Sequence, residues 1–177
     1  MKDFKNISNE KLKEGFIKWF GEEKWEELEI LEFLQQISDS ICDEYLNLEP
    51  IPVIFEETKG CIAVLDIRLE CIRLNPKYKD DKVQLVSALL HELEHFYQLC
   101  YVSMSDTPKA QRWKKELLNY ITYDKPNQNP FQEIELDAES FAVVILECEY
   151  GITYRNPEPT VQLAIEEYIK SGKLLEK

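Results

Sequence analysis

The only two histidines in the chain fall in one pentapeptide, His91-Glu92-Leu93-Glu94-His95, an HExxH pattern. Residues four apart project from the same face of a helix, so both imidazoles can reach one ion. Glu92 lies beside them, placed to act as a base on water that the ion activates. The flanking sequence asks for that helix independently of the histidines, because Leu85, Leu89, Leu93, Phe96 and Cys100 form one apolar stripe at helical spacing.

Two histidines do not complete a catalytic zinc site, which usually has three protein ligands and an open position for water. The metzincin extension would need glycine at position 98 and histidine at 101, where this chain has Gln98 and Tyr101. The third ligand must then be a carboxylate or a thiolate. The best source is the run Glu133-Ile134-Glu135-Leu136-Asp137-Ala138-Glu139-Ser140-Phe141-Ala142. At about 100° per residue, Ile134, Ala138, Phe141 and Ile145 share a core face, with Glu135 and Glu139 on one flank and Asp137 on the other. Carboxylates beside a core are costly to bury alone, and an ion with its histidines offers the compensation. Glu135 is therefore assigned as the third ligand, with Glu133 and Asp137 as the carboxylates that could stand in for it. Glu139, one turn later, is free to accept a hydrogen bond from the outer nitrogen of His91 or His95, or to be a solvated surface glutamate.

The HExxH segment, followed some forty residues later by Glu135-Leu136-Asp137-Ala138-Glu139-Ser140-Phe141-Ala142, resembles the gluzincin arrangement. The similarity is greatest to the ImmA/IrrE-type zinc peptidases and their small phage and bacterial relatives, and it covers roughly 51–146. The resemblance implies a zincin-like fold, zinc as cofactor, peptidase activity and Glu135 as the third ligand. Where that family often has asparagine, this chain has Glu139. Family members are commonly linked to cleavage of a repressor, sometimes beside a helix-turn-helix domain, but no basic recognition helix is apparent in this sequence.

These residues lead to an expectation of zinc-dependent peptide-bond hydrolysis, with His91, His95 and Glu135 on the Zn2+ ion, Glu92 as general base, and a peptide or protein as substrate. One alternative is a non-catalytic metal-binding interaction or regulatory protein of phage or bacterial origin, which would close the ion with a fourth protein ligand. Another is a metal-dependent hydrolase acting on something other than peptides. Tyr97, Tyr123, Tyr150 and Tyr154 are all conceivable donors to a developing oxyanion, and nothing ranks one above another. The segment Ile67–Leu74 is a candidate free strand edge for an extended peptide. Asn127-Gln128-Asn129 and the loop Ser103–Thr107 are candidate walls of the cleft.

The elements that must position these groups follow from pattern and composition. With 177 residues, 44% hydrophobic and 31% charged, the chain fits one globular domain of α+β class, mostly helical with a small sheet of about three strands beside the HExxH helix. Residues 1–49 read as a helical scaffold, 50–150 as the metal-binding core and 151–177 as a C-terminal helix. Ser8-Asn9-Glu10 can cap a first helix. A second, longer one from near Glu22 to Pro50 carries Leu28, Leu31, Leu34, Ile41, Tyr45 and Leu48. Strands are expected over Ile51–Phe55, Cys61–Leu65 and Ile67–Leu74. Helices follow from Asp80 or Asp81 to Tyr101, from Pro108 to Ile121, from Pro130 to Tyr150 before Gly151, and from Pro159 to Ser171 before Gly172.

A formal charge of -13 gives no electrostatic support to a broad nucleic-acid or anionic-membrane footprint, and favours a basic or flexible partner. Five cysteines without a CxxC pair suit reduced thiols. The polar start and the absence of any run near ~18 apolar residues lead to an expected cytoplasmic location.

Overall fold

A computed structural model describes residues 14–19, 21, 25–120 and 131–175. The cap expected at Ser8-Asn9-Glu10, the Asn127-Gln128-Asn129 segment and Tyr123 lie outside the described residues. The described chain is mostly helical with one small mixed sheet, the α+β class expected. It divides into two compact units, Met1–Leu89 and Leu90–Lys177. No helix among the described residues is long and apolar enough to cross a membrane.

In the first unit, helix α1 spans Glu27–Ile41 and opens with Glu29 accepting the Glu26 backbone N–H at 2.8 Å. Its buried seam is Ile30, Phe33, Leu34, Ile37 and Ile41, a 3–4 spacing that continues to Leu46 through a π-turn, Cys42–Leu46. Asn47, left-handed at φ 52°, stops the helix before Pro50 is reached. The expected stripe was one step out of phase at its ends, for Leu28 and Tyr45 are exposed. Phe33 instead receives Phe16 and Trp19 edge-on from the helical segment 14–19.

The sheet comprises β1 (Val53–Phe55), β2 (Ala63–Asp66) and β3 (Cys71–Leu74) in the order β1-β3-β2. β1 runs parallel to β3, and β2 antiparallel to it. β3 is therefore central and bonded on both sides, and it does not present the free edge expected of Ile67–Leu74. That segment is also shorter as a strand than expected. Asp66 accepts the amides of Arg68 and Leu69 at 3.0 and 3.1 Å, and Glu70 adopts φ 51°, so 67–70 is a turn with Ile67 and Leu69 exposed. Cys71 and Ile72, adjacent in sequence and so pointing to opposite faces of the sheet, are both buried. The β1 edge is partly closed by α1, whose Gln35 accepts the Val53 N–H at 2.7 Å and donates to the Ile51 carbonyl at 3.2 Å.

Helix α2, Lys82–Met104, starts where Asp81 accepts the Gln84 N–H at 3.2 Å, the cap expected from the sequence, and it contains the division between the units. In the second unit, α3 (Pro108–Leu118) is capped by Thr107. α4 (Glu133–Tyr150) ends at left-handed Gly151, and α5 (Pro159–Lys170) is followed by left-handed Gly172. Ile134, Ala138, Phe141 and Ile145 of α4 are all buried, as their periodicity requires, and Val143 packs with Val161 and Ile165 of α5.

The orientation of α4 is held by a buried ionic group. Lys109 Nζ lies 3.3 Å from Asp137 Oδ1 and donates to the Lys173 carbonyl at 3.0 Å, while Tyr168 donates to the same Asp137 oxygen at 2.9 Å. Three helices thus meet on one carboxylate, and Lys109 links it to the C-terminal turn. Separating such a pair by removing one partner costs about 3–5 kcal/mol, so α4 is not free to rotate about its axis. The five cysteines are free thiols, with Cys42 and Cys71 in the core.

Candidate metal centre

The two histidines stand one turn apart on α2, with ring centroids 4.5 Å apart and ring planes nearly perpendicular. Facing them, Glu135 projects from the first turn of α4 and is buried. Its Oε1 lies 3.3 Å from His95 Nε2 and its Oε2 lies 3.5 Å from His91 Nε2. Both spacings exceed an ordinary N–H···O hydrogen bond of about 2.9–3.0 Å. They instead match the separation of about 3.3 Å between two ligands of a tetrahedral ion held at about 2.0–2.1 Å. One donor atom from each of the three residues falls within 4.8 Å of the others, so His91, His95 and Glu135 form a group able to hold a metal ion.

Two other acidic residues near the start of α4 are engaged elsewhere. Glu133 forms a forked pair with Arg112 at 3.0–3.2 Å, and Asp137 is taken by Lys109 and Tyr168. Neither belongs to the ligand group, which leaves Glu135 as the carboxylate chosen on helical phase. Glu139 sits behind His91, with Oε1 3.6 Å from Nδ1, just outside hydrogen-bond range. His91 Nδ1 is buried and makes no hydrogen bond. Glu92 is half-buried next to His91, and its charge acts on that imidazole.

Protein-family models, curated proteins and solved structures return no match to this chain. The site therefore has to be read from its own chemistry.

Two partners of the group went unread in the sequence. Gln98 is fully buried on α2, one turn beyond His95. Its Nε2 donates to the Ile134 carbonyl at 2.9 Å, which turns Oε1 toward His95 Nδ1 at 2.8 Å. An amide oxygen can only accept, so His95 carries a proton on Nδ1, which leaves Nε2, the nitrogen that faces Glu135, as the one that would meet an ion. One side chain thus sets the tautomer of a candidate ligand and ties it to the residue preceding Glu135. Its signal was a polar residue three positions after His95 on the buried side of the helix. Weighed only against the glycine of the metzincin pattern, position 98 had no other role. We predict that Gln98→Leu weakens metal binding by about 10–100-fold while the fold survives, as measured by competition with a chromophoric chelator.

The second is Tyr120, whose hydroxyl donates to Glu135 Oε1 at 2.6 Å. Among the tyrosines singled out by sequence, Tyr97 stacks on Tyr101 and meets Trp113 edge-on, and its hydroxyl is pushed up to about 12 by burial and by Glu94. Tyr154 packs against the Val143, Val161 and Ile165 cluster. Tyr150 ends α4, about 22 Å along the axis from Glu135 at 1.5 Å per residue.

Without an ion, the group behaves as an ion pair. Burial works against charge on His91, but the facing Glu135 carboxylate and those of Glu139 and Glu92 outweigh it, raising its pKa from 6.5 to about 9. Burial alone would raise Glu135, yet the two imidazoles hold it well below the usual carboxylate range. An ion must displace the His91 proton to bind, and a raised ligand pKa makes that competition stronger at lower pH. We predict that metal affinity climbs with pH between 6.5 and 9, by up to about tenfold per unit for one released proton. Calorimetry in buffers of different ionisation enthalpy would read the proton directly, and a flat profile without proton release would contradict the ion pair.

Proposed function

We propose that the chain is a zinc-dependent peptidase, in which His91, His95 and Glu135 hold the ion and Glu92 is the general base. The observation that carries this reading is the convergence of two helix-borne imidazoles and one buried carboxylate at tetrahedral spacing, with Glu92 adjacent. The donor set of two nitrogens and one oxygen fits zinc. A bound zinc ion would supply a Lewis acid that brings the pKa of water to about 7 and polarises a carbonyl.

The chain's own groups account for the rest. Glu92 takes the proton of the attacking water and returns it to the departing amine, two roles that a carboxylate near His91 can fill in turn. Gln98 holds His95 in the tautomer that leaves Nε2 free. Glu139 supplies negative charge behind His91, favouring a strongly donating imidazole. Among the described residues, the ligand group comprises three. This favours an open catalytic position over the closed four-ligand site of a purely structural ion.

The test is to incubate zinc-loaded protein and its Glu92→Gln variant with a proteome-derived peptide mixture and compare the new termini by mass spectrometry. Cleavage by the parent alone supports the reading. Identical products from both remove Glu92 from the chemistry. A parent that binds zinc and cleaves no peptide favours the non-catalytic alternative.

A further inference from the structure

Tyr120 lies beyond the C-terminus of α3, yet the contact it makes belongs to a series. Arg112, Glu116 and Tyr120 are spaced i, i+4, i+8, and they meet successive groups at the start of α4. Arg112 grips the Glu133 carboxylate. The Glu116 carboxylate accepts the Glu133 and Ile134 backbone N–H groups at 3.1 and 2.9 Å, satisfying two of the donors that a helix N-terminus leaves open. Tyr120 then donates to Glu135 Oε1. The contact is thus held in register by two neighbours rather than left to the torsions of one side chain.

Its chemistry is specific. At 2.6 Å, a phenol donating to a carboxylate is a short, charge-assisted hydrogen bond, and it falls on the oxygen that faces His95. The two oxygens of Glu135 are therefore inequivalent. Oε1 carries the tyrosine's hydrogen bond, and Oε2, which faces His91, has no such donor from Tyr120.

We infer that Tyr120 is a positioning residue for the metal centre, holding Glu135 so that it presents one carboxylate oxygen to the ion instead of chelating it with both. This inference rests on the metal-binding reading above. Limiting Glu135 to one oxygen keeps the coordination number low and preserves an open position. Tyr120 is 44% exposed, so loss of its hydroxyl leaves packing little changed.

The experiment compares the parent chain with Tyr120→Phe, using two readouts besides activity. Zinc affinity is measured by chelator competition, and the visible absorption of the Co2+-loaded protein reports coordination number through the intensity of its d–d band. Circular dichroism confirms that both are folded. The expected result is about a tenfold loss of zinc affinity together with a weaker Co2+ band, as the second carboxylate oxygen joins the coordination sphere. Unchanged affinity and spectrum would overturn the role of Tyr120 while leaving the metal site standing. Lower affinity with an unchanged band would reduce the tyrosine to structural support and overturn the one-oxygen role. A parent that takes up neither ion would overturn the metal reading, and this inference with it.

Discussion

Glu92→Gln should leave one zinc ion bound per chain and lower peptide turnover by about 10²–10⁴-fold, the usual contribution of a positioned base. In free energy this is about 3–5 kcal/mol of barrier. The substitution is nearly isosteric and replaces no member of the ligand group, so metal stoichiometry separates loss of the base from loss of the site. It also removes one of the negative charges acting on His91. Metal affinity should therefore stay level or rise slightly, because the proton that competes for this imidazole is held less tightly. A variant that loses zinc along with activity would mean that Glu92 is itself a ligand or a structural support.

Glu135→Ala should have the largest effect on the ion. It removes one of three donors and the counter-charge that both imidazoles face at 3.3 and 3.5 Å. Loss of a hydrogen-bond partner behind a ligand already costs about 10–100-fold in metal affinity, so loss of the ligand itself should exceed about 100-fold. Titration of the metal-free variant with zinc in the presence of a competing chelator provides the measurement. Retained affinity would require another carboxylate to move in, and the structure makes each candidate costly. Glu133 would have to leave Arg112, and Asp137 would have to leave the buried Lys109. The same variant should leave the rest of α4 in place, because the Lys109–Asp137–Tyr168 group and the apolar face of Ile134, Ala138 and Phe141 do not involve Glu135.

The phase of α4 shows what one-dimensional periodicity can carry. A core face at Ile134, Ala138, Phe141 and Ile145 necessarily places Glu135 and Glu139 on one flank and Asp137 on the other, whatever the helix packs against. The structure has that division, with Glu135 toward the histidines and Asp137 toward Lys109. Helix boundaries at Asp81, Pro108 and Gly151 were legible for the same reason, since the chemistry of a helix end lies within four residues of it. The β region was less so. Ile67–Glu70 has strand-like composition, but an Asp66 side chain that bonds the next amides makes it a turn, a competition that propensity does not resolve.

The sequence by itself determined the two-histidine frame, its helix, the glutamate between the histidines and the face from which a third donor could come, because each depends on residues a turn or two apart. Only the tertiary structure decided that Gln98 sets the tautomer of His95, that Tyr120 reaches Glu135, that Lys109 claims Asp137, and that β3 lies between its neighbours instead of at an edge. Except for Gln98 on His95, those contacts join separate elements, and a partner that distant is selected by how whole helices and strands pack, which no local repeat encodes.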